Sequence, residues 1–99
     1  MCKNIDDCDA KFTAIVQCSP DICNELKNRY QIAPFSPPEQ FSRFKILIDI
    51  DGNSYSGRFN HLLKTGSVIF KISGVDDLCT LITEPWVDYV PVKMDLSDL

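Results

Sequence analysis

Gly52, Ser56 and Arg58 are the residues whose types and spacing suit chemistry on an anion. They lie in FKILIDIDGNSYSGRF, Phe44 to Phe59, where an apolar run meets a short polar turn. A glycine lets the backbone approach a ligand with no side chain in the way. A serine hydroxyl donates to a phosphate oxygen or caps a following helix. Arginine offers a planar, permanently charged fork for two phosphate oxygens. A strand-turn-helix places such groups where free backbone N–H donors and the helix dipole already favour anions. The chemistry suggested is a grip on a nucleotide diphosphate. The pattern is neither GxGxxG nor a Walker loop, so spacing alone is a weak pointer.

Plainer readings compete. Asp51-Gly52 between apolar runs is a hairpin signal that would make SYSGRF a return strand. RFNHLLKT reads better as a helix. Asp49, Asp51 and Asn53 resemble the start of a calcium loop but lack its later glycine and closing glutamate, so no metal site is expected. A further plain reading has Arg58 serve only a surface carboxylate, a pairing worth little. His61, the single histidine, has no nucleophile to serve and reads as a solvated helix residue. Trp86 and Tyr89 read as core before they read as a stacking platform. Asp76-Asp77 reads as an acidic first helical turn.

The elements that position the turn follow from pattern. Phe44 to Ile50 is a near-continuous apolar strand of the kind covered on both faces in a parallel sheet. Arg58 to Thr65 is a short helix with Phe59, Leu62 and Leu63 inward, ended by Gly66. Ser67 to Ile72 is a second buried strand, so residues 44–72 form a β-loop-α-β unit. Upstream, residues 1–10 read as a disordered segment, and Lys11 to Cys18 as a strand. Ser19-Pro20-Asp21 starts a helix that runs to about Tyr30, with Ile22, Leu26 and Tyr30 on one face. Ile32 to Gln40, with three prolines, reads as an irregular connector anchored by Phe35. Downstream, Val75 to Thr83 reads as a helix, Trp86 to Val92 as a third strand, and Lys93 to Leu99 as the start of a further turn and helix.

Ninety-nine residues allow one domain. A chain this short buries roughly 60–65% of its unfolded surface. The net charge of −4 comes with no basic tract, which argues against nucleic acid. No apolar run approaches the ~20 residues of a membrane span. MCKNIDDCDAKF is too polar for a signal peptide. Five cysteines, Cys2, Cys8, Cys18, Cys23 and Cys79, form no CxxC pair. They read as buried or idle thiols, with a Cys18–Cys23 bridge the alternative in an oxidising compartment.

FKILIDIDGNSYSGRF, LLKTGSVIFK and EPWVDYVPVKMDLSDL, in that order, resemble glycosyltransferase family 90, which holds fungal capsule-associated proteins and Rumi-type protein O-glucosyltransferases. IVQCSPDICNELKNRY and IAPFSPPEQ resemble its fungal branch, so the likeness spans about Ala10 to the end of the chain. It implies an α/β, Rossmann-like partial domain over residues 11–99, part of the donor-binding lobe of a GT-B enzyme. It also implies transfer of glucose or xylose from a UDP-sugar to a protein or polysaccharide hydroxyl, without metal or cofactor. The diphosphate would be held by Gly52, Asn53, Ser56, Gly57 and Arg58. Relatives act in the endoplasmic reticulum or Golgi lumen.

Two departures stand out. The family commonly has histidine where this chain has Asp88, and a glutamate followed by aromatics where it has Asp76-Asp77-Leu78-Cys79. No residue matches the family's catalytic aspartate, so the chain reads as an internal piece of such an enzyme. The competing expectation is a catalytically incomplete fragment, at most a nucleotide-binding or interaction module. A third is a small cysteine-stapled secreted domain.

Overall fold

The computed structural model describes residues 9–99. The expected disordered segment, residues 1–10, falls largely outside them. The chain divides between Ser36 and Pro37 into two compact units.

The first unit is built around helix α1, Pro20–Arg29. Pro20 occupies the first turn, where its missing N–H is no loss, with Asp21 beside it and Lys27 and Arg29 in the last turn. Tyr30 is the C-cap and packs edge-on to Phe12, ring centroids 5.3 Å apart. The expected strand Lys11 to Cys18 does not form. Only Phe12 bridges, to Ile32. A β-branched centre makes a strand only when a neighbour supplies a ladder. Cys18 and Cys23 form a disulfide, Cα atoms 5.6 Å apart, so these two are not idle thiols. Phe35 is 78% exposed and anchors nothing.

The second unit is an α/β fold, a partial Rossmann-like unit. It opens with a 3-10 helix, Pro38–Arg43, where an irregular connector was expected to reach Gln40. The expectation missed that Pro38 occupies the first position, where proline is tolerated. Three strands follow: β1 Ile46–Ile50, β2 Val68–Ile72 and β3 Val90–Val92. They form one parallel sheet in the order β1-β2-β3. Between β1 and β2 lies α2, Phe59–Leu62, continued by 3-10 residues Leu63–Thr65. Between β2 and β3 lies α3, Leu78–Ile82. The parallel pairing excludes the hairpin.

The expected helix Arg58 to Thr65 therefore keeps only one α-helical turn. Thr65 Oγ1 donates to the Leu62 carbonyl at 2.7 Å, and Gly66 follows with φ 77°, the left-handed conformation that ends a helix. Phe59, Leu62, Ile69 and Tyr89 form the core, with Phe41, Leu47, Leu63 and Cys79 packed against it. Phe59 is wholly buried and meets Tyr89 edge-to-face at 5.4 Å.

Strand alternation sends Leu47 and Asp49 of β1, with Ile69 and Lys71 of β2, to this core. Ile46, Ile48 and Ile50 point the other way and stay 44–50% exposed. The apolar run of β1 is thus not covered on both faces. Trp86 is 74% exposed in a turn closed by its N–H on the Tyr89 carbonyl, so of the two expected core aromatics only Tyr89 is core. That turn also shortens the expected third strand. Asp77 is the N-cap of α3, accepting from the Thr80 N–H at 2.7 Å and its hydroxyl at 2.8 Å. Residues 93–99 form turns and no helix. No helix among the described residues is long and apolar enough to cross a membrane.

Candidate functional site

The loop from Asp51 to Arg58 leaves the carboxyl end of β1, the edge at which open parallel sheets bind ligands. Its shape is set by two aspartates, one on each side of the strand's end.

Asp49, the penultimate residue of β1, is fully buried. An unpaired carboxylate there would be prohibitive. Three donors converge on it. Ser56 Oγ donates to Oδ1 at 2.5 Å, Lys71 Nζ lies 3.3 Å from Oδ2, and Arg58 Nε lies 3.9 Å from Oδ1. Lys71 stands opposite Asp49 in the parallel register and is itself 3% exposed. Its ammonium sits 4.2 Å from the centroid of the Phe59 ring, a cation–π contact with the first residue of α2.

Asp51 ties the loop to the neighbouring strand end. Its Oδ2 accepts from Ser73 Oγ at 2.6 Å, from the Gly74 N–H at 3.0 Å and from the Val75 N–H at 3.3 Å. Burial alone would raise its pKa. The Ser73 and Gly74 hydrogen bonds, the charge of Lys71 and the Val75 hydrogen bond together outweigh burial and hold the carboxyl below its ordinary value. Oδ1 of the same carboxylate is buried without a partner.

Arg58 is fixed at its base and open at its surface. Nη2 donates to the Ile50 carbonyl at 2.9 Å, yet the side chain is 66% exposed. Its neighbour Ser56 is 5% exposed, with its hydroxyl proton committed to Asp49, and it does not cap the helix. Arg58 itself stands at the N-cap of α2 without a side-chain cap bond. With only one α-helical turn behind it, the dipole expected from a longer helix is small. Gly52, Asn53 and Gly57 lie exposed on the loop. A Cβ at Gly52 or Gly57 would meet no atom within 4 Å, so packing does not require glycine there.

The five expected residues thus share one loop, but Arg58 alone offers an exposed charge. Asp49 and Lys71 were missed as a pair. A charged residue inside each of two apolar strands, ILIDI and VIFKI, was the available signal. His61 is exposed on α2. Asp88, which stands where the resembled family commonly has histidine, precedes β3 at the opposite edge of the parallel sheet from β1. It accepts from the Glu84 N–H at 2.7 Å. Burial, then the charge of Asp76, raises the pKa of the Tyr89 phenol. Among the described residues no cluster of His, Cys, Asp or Glu could hold a metal ion. Surface hollows of about 260 and 290 Å³ lie elsewhere, one along Phe12 and Leu26, one along Arg43 and Ser67.

No protein-family model matches the chain. Protein O-glucosyltransferase 1 of Rattus norvegicus is 38% identical over 60 residues, covering 58% of this chain and 15% of that protein. Protein O-glucosyltransferase 2 of Danio rerio is 35% identical over 65 residues, 60% of this chain and 12% of that protein. Uncharacterized protein 179R of Invertebrate iridescent virus 6 is 32% identical over 84 residues, 77% of this chain and 7% of that protein. The chain therefore spans only a small part of the curated relatives it matches. These local similarities link the chain to glycosyltransferases.

Proposed function

We propose that the loop of Gly52, Asn53, Ser56, Gly57 and Arg58 holds the diphosphate of a UDP-sugar. In this reading the chain is a segment of a family 90 glycosyltransferase of GT-B type. The enzyme passes glucose or xylose to a hydroxyl of a protein or polysaccharide. The observation that carries the reading is Arg58, anchored to Ile50 and near Asp49 yet 66% exposed at the carboxyl edge of a parallel sheet. A guanidinium so placed meets two phosphate oxygens without a large loss of side-chain freedom. It would offset the charge that builds on UDP as the sugar leaves. Open space beside Gly52 and Gly57 would let backbone N–H groups approach the same phosphates. The sequence similarity to protein O-glucosyltransferases points the same way.

A second reading has its own support. Of the two carboxylates flanking the loop, Asp49 is fully buried and paired with Ser56 and Lys71, and Asp51 is held by Ser73 and Gly74 through Oδ2 while its other oxygen is buried. Neither is placed to take a proton from an acceptor hydroxyl. The chain by itself would then bind a nucleotide without turning it over.

Calorimetric titration with UDP tests the proposal. Saturable binding, weakened roughly tenfold or more in Arg58→Ala at unchanged melting temperature, is the expected result. Absence of saturable binding to the wild-type chain would sink it. Sugar release from UDP-glucose or UDP-xylose separates the two readings, since only the first expects turnover.

A further inference from the structure

We infer that Asp49 and Lys71 are positioning residues: a buried ion pair that fixes where Arg58 and Ser56 of the loop stand. The inference deepens the diphosphate reading and rests on it only for the identity of the ligand.

Stability gives a weak reason for this pair. The attraction between two charges taken out of water offsets their lost hydration only with good geometry and further hydrogen bonds, and apolar replacements of similar volume often do as well. The core-facing positions of β1 and β2 are otherwise apolar, Leu47 and Ile69. Asp49 and Lys71 interrupt that layer at the level where the strands end and the loop begins.

Geometry gives the stronger reason. Asp49 Oδ1 accepts from the Ser56 hydroxyl and lies 3.9 Å from Arg58 Nε, adding an ion pair to the bond that Arg58 Nη2 donates to the Ile50 carbonyl, while Oδ2 faces Lys71. One carboxylate therefore sees both ends of the segment Ser56 to Arg58. Lys71 holds that carboxylate in place and, through the Phe59 ring 4.2 Å away, marks where α2 begins. Asp49, Lys71 and Arg58 sum to one positive charge, and Arg58 is the member that reaches solvent. A buried pair that cancels itself leaves the exposed guanidinium oriented and still cationic.

The prediction is specific to Arg58. In the nitrogen-15-labelled 99-residue chain, the Nε–H resonance of Arg58 should show restricted motion without any ligand. The double variant Asp49→Asn/Lys71→Met removes both charges and keeps their volume, so no charge is left stranded. It should hold the wild-type fold by amide shifts. Its Arg58 Nε–H should become more mobile than in wild type although the bond to the Ile50 carbonyl remains, and UDP should bind roughly tenfold more weakly. Lys71→Arg keeps the pair's charge and should keep Arg58 ordered. A folded double variant with Arg58 as ordered as in wild type would overturn the inference, as would Lys71→Arg loosening Arg58 equally. Wild-type protein that ignores UDP would sink the diphosphate reading, while the Arg58 resonance would still decide the positioning role.

Discussion

Asp49 and Lys71 face each other in register across two parallel strands, 3.3 Å apart and both out of water. Their mutual dependence makes single and double replacements differ. Lys71→Ala strands Asp49 in the core with Ser56 and a distant Arg58, at an expected loss of about 3–5 kcal/mol. Asp49→Asn/Lys71→Met leaves no charge behind and should lie within about 2 kcal/mol of wild type. Urea unfolding of the three proteins measures the difference, and equal losses would mean the pair is not buried as described.

Asp51 makes stability depend on acid. Its carboxyl is held below its ordinary value, against the opposing effect of burial, by Ser73, Gly74, Lys71 and Val75. A depressed folded pKa stabilises above the unfolded value, and that contribution fades as pH falls towards the folded one. The urea midpoint should therefore drop as pH is lowered below about 4. Asp77 shares this direction, through the backbone and side-chain hydrogen bonds from Thr80. Asp51→Asn should reduce the slope, and an unchanged acid profile in that variant would refute the assignment.

From Phe44 to Val92 the order of strands and helices was legible in the sequence because hydrophobic runs and Gly66 punctuate it. Buried charge was not. ILIDI and VIFKI each carry one charge in a run otherwise apolar, and only the register brings Asp49 against Lys71. The loop was found from Gly52, Ser56 and Arg58, yet the role of Ser56 was not readable. Whether a hydroxyl faces a phosphate or a buried carboxylate depends on a residue seven positions away. Trp86 misled for a related reason: its apolar surface predicts burial, whereas the turn to Tyr89 turns it outward.

The two faces of the sheet should respond unequally to truncation. Phe59→Ala opens a cavity under a wholly buried ring that packs on Tyr89 and Lys71, at an expected loss of about 3–5 kcal/mol. Ile48 is 44% exposed on the opposite face, so Ile48→Ala should lose about 1 kcal/mol. Thermal unfolding of both variants checks the ranking. A larger loss at Ile48 would show that its face is packed in solution.

The Cys18–Cys23 bridge should decide whether α1 persists. The helix has ten residues, none buried, and Ser19 at its N-cap makes no side-chain cap bond. A helix that short is marginal in water without tertiary support. The bridge joins the residue before the N-cap to the first turn, across a sequence separation of 5. Closing so small a loop restricts the unfolded segment by about 2 kcal/mol in the chain-entropy description. Reduction, or Cys23→Ser, should therefore lower the helical far-ultraviolet signal and shift the amide resonances of residues 18–30. The amides of β1 and β2, in the other unit, should keep their positions. Retention of the α1 signals after complete reduction would show that Phe12 and Tyr30 hold the helix without the bridge.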